Sequence, residues 1–290
     1  MKLTGVYAPI VTPFDEQENI HYGALQQLID FVLANGVVGL IPAGTTGEVY
    51  ALQAEERLEL FRFVKDYAGE RAVLIAGVNT GSTREVIRFS QAAEQLGYQG
   101  VMAAVPPYSR PNQRELLEHY RAVANSISIP VLLYNFPWRA GSEIGYEVLD
   151  GLANQPNVIG IKEASSDMSR VYEMRLRYGD RYQIVCGSDD QALDYFLWGS
   201  VCWIAGGASC APRQHVEVIQ AALAGDFATA RAHMDKLMPF LRHIESGNYT
   251  QKVKTGCQLL GIPVGNPRRP LLPLTDQERA HFERVFRAIQ

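Results

Sequence analysis

The feature of the sequence that most constrains its fold is a series of eight short apolar runs, separated by longer amphipathic segments. The runs are mostly apolar and do not alternate with polar residues. Such runs are typical of strands buried on both faces of a parallel sheet. We predict strands at Val6–Val11, Val37–Ile41, Ala72–Ala76, Gly100–Ala104, Pro130–Tyr134, Val158–Ile161, Tyr182–Cys186 and Val201–Ala205.

The segments between the runs have the spacing of amphipathic helices. Within Tyr22–Leu33, apolar residues recur every three or four positions, so they form one stripe along a helix. Gly36, Gly97 and Gly225 stand where helices should end, as glycines commonly do. We predict helices at Tyr22–Leu33, Ala54–Tyr67, Thr83–Leu96, Gln113–Ile127, Tyr146–Leu152, Ser169–Tyr178, Gln191–Trp198 and Arg213–Leu223.

Eight strand–helix units in succession predict an α/β fold, a (β/α)8 TIM barrel. Beyond the barrel, Phe227–Ile244, Thr250–Leu260 and Thr275–Ile289 predict a C-terminal extension of three helices. We therefore expect a catalytic barrel at residues 1–224 and a helical extension at residues 225–290. An open, doubly wound sheet is the alternative for the same order of elements. The first strand lacks a glycine-rich dinucleotide fingerprint, which disfavours the Rossmann form of that alternative.

Composition and charge exclude several classes of function. The chain has no uninterrupted stretch of about 18 apolar residues, so we expect no membrane span. Its formal net charge is -4 and Lys and Arg do not cluster, so we expect no binding of nucleic acid. The beginning of the chain lacks the pattern of a signal peptide, so we expect no secretion. The four cysteines form no CxxC pair, which predicts reduced, buried thiols in the cytoplasm and no zinc site.

Barrel enzymes carry their chemistry at the carboxyl ends of the strands, and the most informative residue there is Lys162. It directly follows the run Val158–Ile161, so its side chain should point to the mouth of the barrel. Burying a charged ammonium without a partner is costly, which makes the neutral amine accessible. A neutral lysine is the usual nucleophile of Schiff-base catalysis. The alternative is an ordinary ion pair between Lys162 and Glu163.

The second strand is followed by Gly44-Thr45-Thr46-Gly47, a loop suited to hold a small anion. The glycines expose backbone N–H groups, and the two threonines add hydroxyl donors. This predicts a binding site for a carboxylate. A plain tight turn with a helix cap is the alternative, since glycine and threonine are common in turns.

Two tyrosines and an arginine follow the fourth and fifth strands. Tyr134 ends the fifth strand and Arg139 comes shortly after it, which offers a phenol for proton transfer and a guanidinium for a carboxylate. The alternative is a packed aromatic ring with a solvated arginine. Tyr108 lies in a loop with three prolines, which can hold its side chain in a fixed direction. Its alternative is a surface tyrosine on a turn.

The remaining titratable residues predict neither a metal site nor a catalytic triad. Asp189 and Asp190 are the candidate carboxylates at a strand end, and they are better explained as the first residues of a helix. The helical histidines are expected on exposed faces; they are His119, His215, His233, His243 and His281.

Three motifs, in this order and spacing, resemble one family: Gly44–Glu48, Tyr134–Pro137 and Gly160–Glu163. Over nearly its whole length the chain resembles the dihydrodipicolinate synthase / N-acetylneuraminate lyase family of pyruvate-dependent Schiff-base lyases. The resemblance implies pyruvate and a small aldehyde as substrates, and neither a metal nor an organic cofactor. It also implies a homotetramer that consists of two tight dimers.

The resemblance assigns the central roles in imine chemistry. It implies that Lys162 forms the imine with the keto carbon of pyruvate. Gly44, Thr45 and Thr46 then hold the pyruvate carboxylate through N–H and hydroxyl groups. Tyr134 donates and accepts protons at the keto oxygen and at the incoming aldehyde.

The same resemblance assigns four positions around this centre. Thr45 and Tyr108 relay the proton toward solvent, and Tyr108 comes from the neighbouring subunit. The backbone carbonyl of Ile204 faces the imine. Gly187 lies on the rim of the pocket.

Arg139 distinguishes the branches of the family. It matches the arginine that holds the carboxylate of aspartate semialdehyde in the synthases, and the sialic-acid lyases lack it. The doublet Thr45-Thr46 also resembles the synthases. We therefore expect a synthase-like lyase that condenses pyruvate with L-aspartate 4-semialdehyde, a step of lysine and diaminopimelate biosynthesis.

Departures from the synthase pattern keep other functions open. Trp138 and the segment Asn248–Lys252 favour a catabolic aldolase or dehydratase of another 2-oxo acid, such as a hydroxy-2-oxoglutarate or a 2-keto-3-deoxy sugar acid. A third alternative is a catalytically silent regulator, which the retained lysine and phenol disfavour. Gly81 and Pro107 depart from the lysine site of feedback-inhibited synthases, so we do not expect inhibition by lysine.

Overall fold

A closed barrel of eight parallel strands forms the centre of the computed structural model, which describes residues 1–290. Neighbouring strands pair in chain order, and the last strand pairs with the first. The predicted TIM barrel is thereby confirmed, and the open doubly wound sheet is excluded. The strands are β1 (Gly5–Ala8), β2 (Gly39–Leu40), β3 (Val73–Gly77), β4 (Gly100–Ala104), β5 (Val131–Asn135), β6 (Val158–Glu163), β7 (Gln183–Cys186) and β8 (Cys202–Ile204).

The predicted helices form, with ends shifted by at most two residues. One α-helix is absent from the prediction, a single turn directly after β5 that carries Arg139. The helices are α1 (Tyr22–Ala34), α2 (Ala54–Ala68), α3 (Thr83–Gln95), α4 (Gln113–Asn125), α5 (Pro137–Ala140), α6 (Tyr146–Gly151), α7 (Met168–Tyr178), α8 (Ala192–Leu197), α9 (Pro212–Leu223), α10 (Phe227–Glu245), α11 (Tyr249–Leu259) and α12 (Asp276–Arg287).

Two separate apolar cores hold the barrel together. A cluster of 11 buried residues, including Tyr7, Met102 and Leu132, fills the space inside the strands. A larger cluster of 69 buried residues lies mainly between the strands and the surrounding helices. The barrel is therefore packed rather than hollow, as is usual for this fold. Tyr134 and Ile204 also belong to the inner cluster. They lie near the carboxyl ends of their strands, at the end of the barrel that faces the loops after the strands.

Ion pairs fix the C-terminal helices to the carboxyl side of the barrel. The Nζ atom of Lys254 in α11 lies 2.6 Å from Oε1 of Glu48, which follows β2, and both side chains are buried. Arg268 donates a hydrogen bond of 2.7 Å to Glu56 in α2. The beginning of α11 is thereby held at the mouth of the barrel. None of the twelve helices combines the length and the apolar character needed to cross a membrane.

The prediction of exposed histidines is wrong for His119 and His215, which are buried. His119 lies 2.8 Å from the hydroxyl of Thr83, and Nδ1 of His215 lies 2.7 Å from the carbonyl oxygen of Ala211. A neutral imidazole can be buried when one ring nitrogen finds such a partner. Burial lowers the pKa of each histidine to about 4, so both are neutral in the folded protein at neutral pH.

Candidate active site

Lys162 and Tyr134 stand side by side on two neighbouring strands. They are paired in the register of β5 and β6, so both side chains point into the barrel. Lys162 is 6% exposed, and its Nζ atom lies 4.3 Å from the centroid of the Tyr134 ring. The sequence predicted a strand that ends at Ile161, directly before Lys162. In the structure, β6 continues through Glu163 and includes the lysine. The lysine is therefore held by the ladder of the sheet and not by a loop.

Glu163 does not form the ion pair with Lys162 that was the alternative explanation of this motif. Because side chains alternate along a strand, Glu163 points to the outside of the barrel. There its carboxylate accepts hydrogen bonds of 2.9 Å from Arg170 and of 2.9 and 3.0 Å from Asn135. The N–H group of Ser165 donates a further bond of 2.8 Å. The buried carboxylate is thus satisfied without the lysine.

The loop after β2 brings two threonines to the same cavity. Thr45 and Thr46 line it, and Gly44 is buried directly before them. Ala43 has a φ of 52°, a conformation that non-glycine residues rarely adopt. A Cβ atom on Gly77 would lie 2.5 Å from the carbonyl oxygen of Ala43. Glycine at position 77 therefore allows β3 to pack directly beneath this loop.

A cavity of about 360 Å³ opens at the carboxyl ends of the strands. Seven of the nine predicted site residues line it: Thr45, Thr46, Tyr134, Arg139, Lys162, Gly187 and Ile204. Gly44 lies behind its two neighbours. A second cavity of about 580 Å³ lies alongside and shares Thr45, Tyr134 and Arg139. Arg139 therefore stands between the two spaces.

Tyr108 is the one predicted site residue that this chain does not bring to its own cavity. Its side chain is 100% exposed, on the loop after β4, and its φ is 70°. A tyrosine held outward in this way leaves its apolar ring in water unless another molecule covers it. The position is compatible with the expectation that the residue serves a neighbouring subunit.

Sequence analysis missed several residues that line the cavity. Asp189 does begin a short helical turn, as expected, but its side chain is buried and faces the cavity. Glu245 and Tyr249 come from the end of α10 and the beginning of α11. One sequence feature could have indicated Tyr249: the segment Asn248–Lys252, which contains it, departs from the synthase pattern. Trp138 lines the mouth and donates a hydrogen bond of 3.2 Å to the carbonyl of Ser165.

The newly found side chains are linked by hydrogen bonds and by charge. Trp203 donates a bond of 2.8 Å to Asp189, and the Tyr249 hydroxyl lies 3.4 Å from the other carboxylate oxygen. Burial raises the pKa of Asp189. The pKa of Glu245 is raised by desolvation and by the charge of Asp189. Burial also raises the pKa of Tyr249, so its phenol stays protonated and can donate a hydrogen bond.

Comparison with known proteins places this barrel in a family. The model of the dihydrodipicolinate synthetase family matches residues 2–289. The chain belongs to the dihydrodipicolinate synthetase family. A curated member, 4-hydroxy-tetrahydrodipicolinate synthase 1 of Halalkalibacterium halodurans, is 33% identical over 98% of this chain and 96% of its own length. The synthase of Neisseria gonorrhoeae is 34% identical, over 99% of this chain and 98% of its own.

Solved structures of dihydrodipicolinate synthetases agree with this assignment. The dihydrodipicolinate synthase of Aquifex aeolicus superimposes with a TM-score of 0.95 at 30% identity, covering 98% of this chain and 97% of that one. A putative dihydrodipicolinate synthetase from Pseudomonas aeruginosa gives a TM-score of 0.96 at 30% identity, with 100% of both chains covered. The predicted family and fold are confirmed. The chain is a Schiff-base lyase of the class I aldolase type, and the names of its relatives favour the synthase over the catabolic alternative and the silent regulator.

Proposed function

We propose that the protein condenses pyruvate with L-aspartate 4-semialdehyde, as a 4-hydroxy-tetrahydrodipicolinate synthase does. The observation that carries this proposal is the buried Lys162 beside Tyr134, in a cavity that Arg139 also lines. An amine, an acid–base group and a guanidinium are the three groups that this condensation requires. The relatives from Halalkalibacterium halodurans and Neisseria gonorrhoeae, which are 4-hydroxy-tetrahydrodipicolinate synthases, support the same reaction.

Lys162 supplies the nucleophile in this scheme. Its neutral amine attacks the keto carbon of pyruvate, and loss of water gives an imine. The imine withdraws electrons, so a proton leaves the methyl carbon and an enamine forms. The enamine carbon attacks the aldehyde carbon, and the aldehyde oxygen takes up a proton. Attack on the imine carbon by water or by the amine of the substrate then frees Lys162.

Tyr134 supplies the proton that these steps move. It is 6% exposed and lies next to the lysine, where its hydroxyl can protonate the departing keto oxygen and later the aldehyde oxygen. Thr45, at the same level of the cavity, can pass the proton on. Tyr108 completes the relay from the neighbouring subunit, because its own chain leaves it fully exposed.

Small residues and backbone groups hold the pyruvate. Gly44, Thr45 and Thr46 offer N–H and hydroxyl donors for its carboxylate. A Cβ atom on Gly187 would lie 2.9 Å from two carbons of the Lys162 side chain, so a glycine there leaves room for the reactive amine. Ile204 ends β8 and lines the cavity, and in this proposal its backbone carbonyl faces the imine.

Arg139 binds the carboxylate of the aldehyde substrate in this proposal. The single turn α5, which begins with Pro137, presents it at the mouth of the cavity. Its guanidinium can form two parallel hydrogen bonds to a carboxylate. Trp138 is 80% exposed and forms an apolar edge beside this position.

Two exposed surfaces support a homotetramer consisting of two dimers. The first carries Tyr108, which a close partner would cover. The second is an apolar patch on and directly after α7 and α8, where the rings of Tyr172 and Trp198 are 4.7 Å apart. Leu176 and Leu197 belong to the same two helices and are also exposed. The four cysteines are free and buried, which fits a reducing compartment such as the cytoplasm. Sedimentation analysis tests the tetramer, and a monomer at assay concentration would contradict it.

Borohydride trapping combined with a substrate panel tests the proposed function. Reduction in the presence of pyruvate should leave a pyruvyl adduct on Lys162, located by peptide mass spectrometry. Among aldehydes and 2-oxo acids, L-aspartate 4-semialdehyde should give the highest kcat/KM, measured as pyruvate consumption. Unmodified Lys162 peptide would refute the imine, and a preference for cleaving another 2-oxo acid would refute the synthase.

A further inference from the structure

One side of the active-site cavity is formed by three residues outside the strands, two of which come from the C-terminal helices. Asp189 lies in the turn after β7, while Glu245 and Tyr249 belong to the C-terminal helices. We call these three residues the acidic wall. All of them line the cavity that holds Lys162 and Arg139.

The acidic wall is held by specific contacts. Asp189 is 4% exposed, and the indole N–H of the buried Trp203 donates to its carboxylate at 2.8 Å. The Tyr249 hydroxyl lies 3.4 Å from the second oxygen of that carboxylate. Any Cβ atom on Gly206 would collide with this hydroxyl and would lie 2.7 Å from Oγ1 of Thr46. Glycine at position 206 thus lets the phenol enter the cavity beside a threonine that binds pyruvate in the proposed function.

No lysine or arginine forms a salt bridge with the acidic wall, and the cation whose charge acts on Asp189 is Lys162, the amine that becomes part of the imine in the proposed function. Asp189 receives its hydrogen bonds from an indole and a phenol, both neutral. Glu245 has no lysine or arginine within salt-bridge distance, and its charge is opposed by those of Asp189 and Asp190. Arg139, in contrast, lies among the residues that line both cavities. The cavity therefore combines one guanidinium with a pair of carboxyl groups.

We propose that the acidic wall binds the ammonium group of the aldehyde substrate and makes the enzyme selective for aldehydes that carry an α-amino acid head group. The carboxylate of that head group is bound by Arg139 and its ammonium by Glu245 and Asp189. This inference rests on the proposed function and specifies how its second substrate is recognised. A neutral hydroxyl could also accept or donate hydrogen bonds here, and a proton can neutralise one of the two carboxyl groups, but an ammonium group favours the ionised form of both.

A pair of aldehydes that differ only in the amino group tests the inference. L-aspartate 4-semialdehyde has the ammonium, and succinate semialdehyde has the same chain and carboxylate without it. In Glu245→Gln, we expect kcat/KM to fall at least tenfold for the amino aldehyde and less than twofold for succinate semialdehyde. Glu147→Gln, an exposed glutamate of α6 outside the cavity, is the matched control and should change neither value.

Two further variants keep the test decisive. Asp189→Asn and Tyr249→Phe should show the same selective loss, and borohydride trapping of pyruvate should remain intact in each folded variant. An equal loss of kcat/KM with both aldehydes in all three variants would overturn the inference. The acidic wall would then maintain the shape of the cavity without recognising the ammonium group. Unchanged kinetics in Glu245→Gln and Asp189→Asn would overturn it as well.

The inference and the proposed function fail in different ways. If the unsubstituted enzyme does not consume L-aspartate 4-semialdehyde, the proposed function is wrong, whatever the variants do. If it consumes that aldehyde but Glu245→Gln loses no selectivity between the two aldehydes, only the role of the acidic wall is refuted.

Discussion

The Nζ atom of Lys162 lies 4.3 Å from the centroid of the Tyr134 ring, on two strands that hold these residues directly opposite each other. The sheet, and not a flexible loop, sets this distance. Because the carboxylate of Glu163 is occupied by Arg170 and Asn135 on the outer face, the amine has no acidic partner in the neighbouring residue. In the proposed mechanism, proton transfer at the imine is therefore assigned to the phenol of Tyr134.

Replacing Tyr134 by phenylalanine should separate binding from proton transfer. The ring still packs in the cavity, but the hydroxyl that protonates the leaving oxygen is gone. General acid–base groups contribute typically 10²- to 10⁴-fold to rates, so we expect kcat to fall by about 10²-fold or more. Stopped-flow or quench measurements of imine formation should show the same loss. Normal imine formation in Tyr134→Phe would show that another group transfers the proton.

Removing the guanidinium of Arg139 should affect the aldehyde more than pyruvate. A hydrogen bond to a charged group contributes about 1.5–3 kcal/mol, which corresponds to roughly 10- to 100-fold in kcat/KM. In Arg139→Ala we expect such a loss with L-aspartate 4-semialdehyde. Trapping of pyruvate on Lys162 should stay intact, and turnover of an aldehyde without a carboxylate should change little. An equal loss of pyruvate trapping and of aldehyde use would mean that Arg139 supports the fold instead.

A methyl group on Gly187 should displace the reactive lysine. The added Cβ atom would lie 2.9 Å from Cε and Cγ of Lys162 and 2.7 Å from the carbonyl oxygen of Glu163. We expect Gly187→Ala to lose most borohydride trapping of pyruvate. Gly81→Ala is the matched control, because an added Cβ atom there meets nothing within 4 Å. Full trapping in Gly187→Ala would show that the lysine can adopt another productive position.

The sequence predicts the barrel well because strands buried on both faces leave continuous apolar runs. It does not predict the single turn α5, since four residues are too few to show a helical period. Lys162 was found because a charged residue ends an apolar run. Its place within β6 was missed, because Lys162 and Glu163 are polar although the strand continues through both.

The residues that sequence analysis missed share a physical reason. Chemistry was sought only at strand ends, but Glu245 and Tyr249 lie on helices that reach the mouth of the barrel from the C-terminal extension. Nothing in local periodicity shows that approach, which depends on long-range contacts such as the pair of Lys254 with Glu48. His215 was misplaced for a similar reason, because its burial depends on packing against Trp203 and Phe240.

Acid should destabilise the protein through its buried histidines. Burial lowers the pKa of both His119 and His215 to about 4, compared with an ordinary value of 6.5. Between these two pH values the unfolded chain binds protons that the folded chain does not, so stability falls as the pH decreases from 6.5 to 4. A shift of this size corresponds to roughly 3 kcal/mol for a fully buried histidine. Above pH 6.5 both histidines are neutral in either state and contribute no pH dependence.

The variant His215→Phe keeps an aromatic ring against Trp203 but cannot take up a proton. Its melting temperature should therefore fall less between pH 7 and 4.5 than that of the unsubstituted protein. His281→Phe, on the exposed face of α12, is the control and should follow the unsubstituted profile. Identical pH profiles for His215→Phe and the unsubstituted protein would show that carboxyl groups, and not this histidine, determine the acid sensitivity.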